Sequence, residues 1–224
     1  MITHNLCVVF DVDDTLYLER DYVRSGFYAV GLFAKQKLGS TGFFEAAWAE
    51  FEAGQRGDIF DLVLSQKGLR NDNAMIAQLV EVYRYHVPQI ALFDDAFVCL
   101  NRLRGAMYLA AITDGPLESQ KAKVKALGLE KWTNPTIFTA ALGPKAGKPN
   151  PMAFELVQEK THCKGSSCVY VGDNPSKDFV APKSLGWRTV RLIRPGGLHA
   201  NEPSGDDVDI ELPDLDELEE HLGL

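Results

Sequence analysis

The stretch Leu6–Tyr17 has the sequence LCVVFDVDDTLY, in which a short apolar run ends abruptly in acidic residues. An apolar run of this kind, rich in β-branched residues, is typical of a buried strand in a parallel sheet. Open α/β sheets bind ligands outside the carboxyl ends of their strands, which is where these acids would lie. Asp11 and Asp13 are two residues apart and would leave an extended backbone on the same side, whereas Asp14 would point away. The stretch therefore predicts a carboxylate-rich site at the end of the first strand.

Neighbouring carboxylates repel one another, so the cluster needs a physical explanation. A bound cation, or a proton on one of the acids, would offset the repulsion. A plain turn is the alternative, because Asp side chains often hydrogen-bond to nearby backbone N–H groups. A calcium loop fits poorly, since Leu16 stands where that loop needs glycine and Tyr22 stands where it needs glutamate.

Composition restricts the class of protein. The 224 residues are 46% hydrophobic and 24% charged, which is typical of a globular chain with a substantial core. The net charge of −8 argues against a surface that binds nucleic acid or anionic membranes. No apolar run approaches the length of a membrane span, and the N-terminal residues do not form a signal peptide. The four cysteines do not show the spacing of a zinc site, so we expect a cytoplasmic protein with reduced thiols.

Helical and strand patterns divide the chain into two parts. Four helical segments follow the first strand, with no convincing strand among them. Strands then alternate with helices, which is typical of a mostly parallel sheet with helices on both faces. We predict an α/β, Rossmann-like core formed by residues 1–16 and 94–224, with a small helical cap domain inserted at 17–93. The Gly- and Pro-rich segment Arg194–Asp207 is expected to be a surface loop.

Two later strands also end in polar residues, at Thr113–Gly115 and at Gly172–Asn174. These ends could converge with the first at one edge of the sheet, or each could merely cap the helix that follows. The segment Gly147–Pro149 is not a P-loop, because the glycine spacing is one residue short and Pro149 replaces the Ser or Thr. Lys148 could still reach over the crevice as a point charge, or it could be a solvated surface lysine.

Together these dispersed motifs resemble those of the haloacid dehalogenase (HAD) superfamily of phosphohydrolases. The four family motifs are matched in order and spacing by Asp11-x-Asp13-x-Thr15, Thr113, Lys148 and Gly172–Asp178. The helical insertion is similar to the family's helical cap, and the resemblance covers essentially the whole chain. The family's dehalogenases lack an acid at the position of Asp13, so the resemblance implies phosphoester hydrolysis rather than dehalogenation.

The resemblance also implies a role for each motif residue. Asp11 would attack phosphorus to form an aspartyl-phosphate, and Asp13 would protonate the leaving oxygen and then deprotonate the hydrolytic water. Mg²⁺ would be held by the Asp11 carboxylate, the Asp13 backbone carbonyl and Asp173. The expected phosphate-binding residues are Thr113, Asp114, Gly115 through its backbone N–H, and Lys148.

Supporting and selectivity roles complete the predicted site. Asp178 and Asn174 are expected to act behind the metal ligands, with Asp178 orienting a metal-bound water or Lys148. Substrate selectivity would come from the cap, because the core recognises only phosphate. The cap candidates are Arg20, Tyr22, Arg24 and Arg56. For each of these, a solvated helix face or a packing tyrosine is the alternative.

These features predict a Mg²⁺-dependent phosphomonoester hydrolase for a small soluble phosphometabolite, such as a sugar phosphate or nucleotide. A phosphomutase of the same fold, which returns the phosphoryl group to a sugar, is one alternative. A phosphoaspartate signalling receiver is another, although it needs neither a cap nor an acid at Asp13. The expected partner is a small phosphorylated substrate, with no nucleic acid and no membrane, and a homodimer is left open.

Overall fold

The computed structural model of the chain describes residues 6–223. Its main sheet has six strands, all parallel, in the order β3-β2-β1-β4-β5-β6. The strands are β1 (Cys7–Phe10), β2 (Tyr108–Thr113), β3 (Thr136–Phe138), β4 (Cys168–Gly172), β5 (Arg188–Leu192) and β6 (Ile210–Leu212). The predicted α/β fold class is therefore confirmed.

Strand β1 lies between β2 and β4, and all of its residues are buried. Phe10 is in register with Ala111 of β2 and with Val171 of β4. The N–H of Asp11 extends this ladder by donating to the Val171 carbonyl at 2.8 Å. The carboxyl ends of three strands are therefore adjacent. Strands β2 and β3 lie on one side of β1, and β4, β5 and β6 lie on the other. Sheets of this α/β type bind ligands where the strand order switches sides in this way.

Four consecutive helices follow β1, as predicted. They are α1 (Glu19–Leu38), α2 (Phe43–Glu52), α3 (Ile59–Gln66) and α4 (Asn73–Tyr85). Residues Arg20–Ile90 form one of the two compact units of the chain. Inside this helical unit, Phe27 contacts the rings of Phe60 and Tyr83, each with a centroid distance of 5.7 Å. A Cβ on Gly26 would lie 2.5 Å from the Tyr83 ring, so the close approach of these helices requires glycine there.

The other unit contains the residues up to Glu19 and those from Ala91 onward. Its helices are α5 (Asp94–Leu103), α6 (Leu117–Leu127), α7 (Met152–Thr161), α8 (Val180–Ser184) and α9 (Leu218–Leu222). Cys7 and Val9 of β1 share a buried cluster with Phe154 of α7. Because successive strand residues point to opposite faces and every β1 residue is buried, the sheet is covered on both faces. Within residues 6–223, every helix falls short of the length and apolar character that crossing a bilayer requires.

The cysteines are free thiols in buried positions. Burial raises the pKa of Cys7, Cys99 and Cys168 to about 12. These three thiols are therefore protonated at neutral pH and are poor nucleophiles.

Phe154 tests the packing of α7 on the sheet. Its ring is fully buried and lies edge-on to Tyr170 and Trp187, with centroid distances of 5.1 and 5.6 Å. Phe154→Ala would leave a cavity and is expected to lower the free energy of unfolding by about 3–5 kcal/mol. The matched control is Met152→Ala on the same helix, which is 45% exposed and should change it by no more than about 0.5 kcal/mol. Urea denaturation measures both, and equal effects would contradict the packing role.

Candidate active site

An acidic turn follows β1 and is almost fully buried, with Asp11 4% and Asp14 2% exposed. The backbone of Asp14 has a φ of 52°, in the left-handed region that Asp tolerates better than most residues. Its carboxylate accepts hydrogen bonds from the N–H groups of Glu19 and Leu198, each at 2.8 Å. Although Asp14 was predicted to point away, it is among the residues that line the same cavity as Asp11 and Asp13. The left-handed turn, which strand spacing could not indicate, accounts for this difference.

Lys148 connects the acidic turn to the segment after β4. Its ammonium group lies 2.7 Å from Asp11 Oδ1 and 2.7 Å from Asp178 Oδ1, and it donates to the Tyr170 hydroxyl at 2.9 Å. The Lys148 side chain is fully buried, so the solvated surface alternative does not apply. Burial alone would lower the pKa of Lys148, but Asp11 and Asp178 raise it well above its usual range. Burial also raises the pKa of Asp11 to about 6, with Lys148 opposing that change.

Asp13 is held by three side chains that the sequence analysis did not single out. Its Oδ1 accepts hydrogen bonds from the Tyr17 hydroxyl and from Lys123 Nζ, the latter at 2.7 Å. Its Oδ2 accepts a hydrogen bond from Gln120 Nε2 at 3.0 Å. Burial would raise the pKa of Asp13, but the charge of Lys123 and the hydrogen bonds from Lys123, Tyr17 and Gln120 together hold the pKa below its usual value. Asp13 is therefore fixed in position by its neighbours.

A signal for two of these residues was present in the sequence of α6. Successive helix residues are about 100° apart, so Gln120 and Lys123 share a face with Leu127, whereas Lys121 and Lys125 lie on the opposite face. The structure buries Gln120, Lys123 and Leu127 and exposes the other two lysines. A lysine that is buried on the apolar face of a helix needs an acidic partner, because an unpaired buried charge is costly.

Three acids form a cluster that fits a metal ion. Asp11, Asp173 and Asp178 can each offer a carboxylate oxygen, and these oxygens lie within 4.8 Å of one another. Burial raises the pKa of Asp173 to about 9, and Asp11 is the next largest cause. Buried carboxylates at this spacing repel one another, and a divalent cation would remove that repulsion. The residues present therefore suit a hard cation with oxygen ligands such as Mg²⁺.

Both carboxylate oxygens of Asp178 also have partners within the protein. Its Oδ2 accepts hydrogen bonds from the N–H groups of Asp173 and Asn174, at 3.2 and 3.0 Å. Its other oxygen is the one paired with Lys148. Asp178 therefore contacts both Lys148 and the backbone after β4, and its role in orienting Lys148 or a metal-bound water stays a prediction.

The segment after β2 lies beside the same acids. Thr113 Oγ1 donates to Gln120 Oε1 at 2.8 Å, which connects Thr113 to the group that holds Asp13. Asp114 accepts hydrogen bonds from the Thr139 hydroxyl and the Lys148 N–H, at 2.7 and 3.2 Å. The negatively charged side chain of Asp114 would repel a phosphate group. Any contact of Asp114 with phosphate would therefore use its backbone. Gly115 has a φ of 125°, a conformation that favours glycine.

The segment Arg194–Asp207 is more than the predicted surface loop. Arg194 is 5% exposed and donates to the Thr15 carbonyl at 3.1 Å. His199 is hydrogen-bonded through Nε2 to Asn174 Nδ2 at 2.8 Å and lines the acidic cavity. The loop is held against the acidic turn by these contacts, which Gly and Pro content alone does not indicate.

A cavity of about 90 Å³ lies among these segments, and the predicted residues Thr113, Gly115, Lys148 and Asp178 are not in its lining. The residues that line it are Asp11, Asp13, Asp14, Glu19, Asp114, Asp173, Asn174, Lys177 and His199. The cavity is much smaller than the roughly 300–1,000 Å³ of typical small-molecule pockets, so it suits a compact charged group. The sequence predicted five of these nine lining residues as site residues, and it missed Asp14, Glu19, Lys177 and His199.

The predicted cap residues have partners within the helical unit. Arg20 forms an ion pair with Glu52 at 2.7 Å. Arg24 lies 5.9 Å from the ring centroid of Trp48, and Arg56 lies 4.1 Å from that of Phe51. Tyr22 is 3% exposed, with its ring 5.7 Å from that of Tyr83, which fits the alternative of a packing tyrosine. A role in substrate selectivity for these residues stays a prediction.

Comparison with known proteins agrees with this architecture. A profile of haloacid dehalogenase-like hydrolases matches residues 6–186, so the chain belongs to that family. The chain is 28% identical to the glyceraldehyde 3-phosphate phosphatase of Methanopyrus kandleri, covering 93% of this chain and 91% of that protein. It is also 28% identical to the phosphoserine phosphatase of Thermus thermophilus, covering 77% of this chain and 66% of that protein.

A solved structure shows the same fold. The HAD-hydrolase YfnB of Bacillus subtilis, crystallised with bound magnesium, superimposes with a TM-score of 0.71. The match covers 99% of this chain and 100% of that chain at 20% sequence identity.

Asp173→Asn tests the repulsion in the acidic cluster. In EDTA this variant is expected to be more stable than the original by about 1 kcal/mol, or about 2–4 °C in Tm, because it removes a carboxyl group that must take up a proton to be buried among other acids. The carboxyl has a pKa of about 9 when folded, against about 3.9 when unfolded, so it takes up a proton on folding. The cost of that uptake grows as pH rises between these two values, so the gain should be larger at about pH 8 than at about pH 5.5.

The same variant should also lose the increase in Tm that Mg²⁺ gives to the original protein. Asp216→Asn, at an exposed position, is the matched control and should change neither quantity. Thermal unfolding with EDTA and with MgCl₂ measures both. If the metal-free Asp173→Asn protein is less stable than the original at the higher pH, the inferred repulsion between the buried acids is wrong.

Proposed function

We propose that this protein is a Mg²⁺-dependent phosphomonoester hydrolase that acts through a phosphorylated Asp11. The observation that carries the proposal is the placement of Asp11 and Asp13 on one small cavity, with Lys148 paired to Asp11 behind it. The relatives named as phosphatases support the same reaction class.

Asp11 is suited to be the nucleophile. Burial disfavours its charge, and the ammonium group of Lys148 at 2.7 Å offsets this, so a carboxylate is available in a site from which most water is excluded. A weakly solvated carboxylate attacks more readily than a hydrated one. The bond that it forms to phosphorus replaces the bond from phosphorus to the leaving oxygen.

Asp13 is suited to be the general acid and base. It lines the same cavity as Asp11, and it lies two residues further along the same turn. The pKa of Asp13 is low in the free protein, so Asp13 would take up a proton when the negatively charged phosphate group binds beside it and raises that pKa. It would give this proton to the leaving oxygen and then take one from the water that attacks the phosphorylated Asp11. The phosphate group would be positioned between the two by Lys148, by the Thr113 hydroxyl and by the Gly115 N–H.

The metal would be held by the Asp11 carboxylate, the Asp13 backbone carbonyl and Asp173. When bound, Mg²⁺ would neutralise charge on the phosphate and the carboxylates. Asp178 and Asn174 would stabilise this arrangement from behind, through the hydrogen bonds of Asp178 to the backbone of the segment after β4.

The substrate is proposed to be a small phosphomonoester. The cavity of about 90 Å³ has room for little more than a phosphate group, so the rest of the substrate would contact other residues. Glyceraldehyde 3-phosphate and phosphoserine, which appear in the names of the relatives, are both three-carbon phosphate esters. These compounds are therefore the first to test, followed by other sugar phosphates and nucleotides.

Asp11→Asn is the decisive substitution. It keeps the shape of the side chain and removes the nucleophilic oxygen, so phosphate release should fall at least ~10⁴-fold. EDTA should abolish release by the unaltered protein, and added Mg²⁺ should restore it. The measurement is phosphate release over many turnovers from the panel of phosphomonoesters. Asp216→Asn, an exposed aspartate, is the matched control and should keep full activity.

The outcomes separate the alternatives. Repeated release that is lost in Asp11→Asn supports the hydrolase. Incorporation of one stable phosphate per chain without turnover would favour a receiver, and transfer of phosphate between positions of a sugar would favour a mutase. A folded protein that does none of these would refute the proposal.

A further inference from the structure

Both carboxylate oxygens of Asp13 are engaged by side chains of the core. Oδ1 accepts hydrogen bonds from Lys123 Nζ at 2.7 Å and from the Tyr17 hydroxyl, and Oδ2 accepts one from Gln120 Nε2 at 3.0 Å. Three donors thus determine the orientation of a short side chain. Small errors in such an orientation are costly for a group that must transfer a proton.

Packing alone does not explain Lys123. Its side chain is 3% exposed, and it lies 2.7 Å from Asp13 and 3.6 Å from Glu19. A buried ammonium group costs several kcal/mol unless it is paired, and an apolar residue of similar volume is often as stable or more so. The charge of Lys123 therefore points to a function, which is to hold the carboxylate of Asp13.

Gln120 extends the same arrangement to the phosphate side of the site. Its Nε2 donates to Asp13, while its Oε1 accepts a hydrogen bond from Thr113. A Cβ on Gly115 would lie 2.8 Å from Gln120 Nε2, so the amide is confined by the turn after β2. One amide group therefore sets the distance between the acid and the hydroxyl that would contact phosphate.

We infer that Lys123, Gln120 and Tyr17 are positioning residues that hold the carboxyl group of Asp13 for proton transfer to and from the reacting oxygens. This inference rests on the proposed function. None of the three acts on the substrate directly, and each acts through Asp13.

The proton balance of the reaction shows why the position of the Asp13 carboxyl group matters. As the oxygen of Asp11 bonds to phosphorus, the bond from phosphorus to the leaving oxygen breaks and the proton of Asp13 moves to that oxygen, so a neutral alcohol departs. A water oxygen then bonds to phosphorus, a proton of the water moves to Asp13, and the bond from Asp11 to phosphorus breaks. Asp13 ends with the proton with which it began.

Leaving groups differ in how much they need this proton. An alkyl alkoxide is strongly basic and must be protonated as its bond to phosphorus breaks, whereas para-nitrophenolate is weakly basic and departs without a proton. Loss of positioning at Asp13 should therefore slow alkyl esters selectively. A general structural defect would slow both kinds of ester alike.

Lys123→Met is the first test, with kcat/KM as the measured quantity. This constant covers the steps up to the first P–O cleavage, whereas the later hydrolysis of phosphorylated Asp11 is common to all substrates. We expect kcat/KM to fall about 10²-fold for phosphoserine or another alkyl phosphate that the unaltered protein hydrolyses, because general acid catalysis contributes about 10²–10⁴-fold. For para-nitrophenyl phosphate the fall should be less than about 5-fold.

Lys121→Met on the same helix is the matched control. It also removes a lysine paired with a carboxylate, that of Glu118 at 2.9 Å, but its side chain is 50% exposed. Both rate constants should stay within about 2-fold of the original, because exposed ion pairs contribute little.

Tyr17→Phe keeps the test decisive if Lys123→Met does not fold. It removes only a hydroxyl group, and it should slow the alkyl ester more than the aryl ester, with a smaller effect than Lys123→Met. Thermal unfolding identifies variants that are folded.

Equal losses on both esters, or no loss on the alkyl ester, in folded variants would overturn the inference while leaving the hydrolase in place. An unaltered protein that hydrolyses neither ester would instead refute the proposed function itself.

Discussion

A buried ammonium group between two carboxylates is the interaction on which the candidate site depends. Lys148 lies 2.7 Å from both Asp11 and Asp178, and its side chain is fully buried. The three residues come from separate parts of the chain, so the ion pairs join the end of β1 to the segments before α7 and after β4. Removing one partner of a buried pair typically costs about 3–5 kcal/mol, because it leaves an uncompensated charge. The geometry of the site is therefore coupled to the stability of the fold.

The site contains more carboxyl groups than its lysines can pair with. The pKa of Asp173 rises to about 9 and that of Glu19 to about 7, in both cases mainly through burial and next through a neighbouring carboxylate. Such repulsion is a cost that functional sites commonly carry, and it is relieved when a cation binds. The same acids would therefore suit a divalent cation.

Two lysines pair with different aspartates of the acidic turn. Lys148 pairs with Asp11, and Lys123 pairs with Asp13. The pKa of Asp11 stays above its usual value because burial dominates. Burial also acts on Asp13, but Lys123, Tyr17 and Gln120 together hold its pKa below the usual value. Two aspartates that are neighbours in sequence thus have different electrostatic surroundings.

The sequence by itself determined the parallel α/β class, the helical insertion and the acids at the strand ends, because strand and helix periodicity and turn chemistry are local properties of the chain. It also predicted Lys148 and Asp178, but only through their place in dispersed motifs. The tertiary structure alone decided which side chains meet Asp13, and that Asp14 and His199 line the same cavity as Asp11, His199 from a Gly- and Pro-rich loop. Those contacts join residues more than 100 positions apart in the case of Asp13 with Gln120 and Lys123. No local pattern records such a pairing, since it arises only when the helix after β2 packs beside the end of β1.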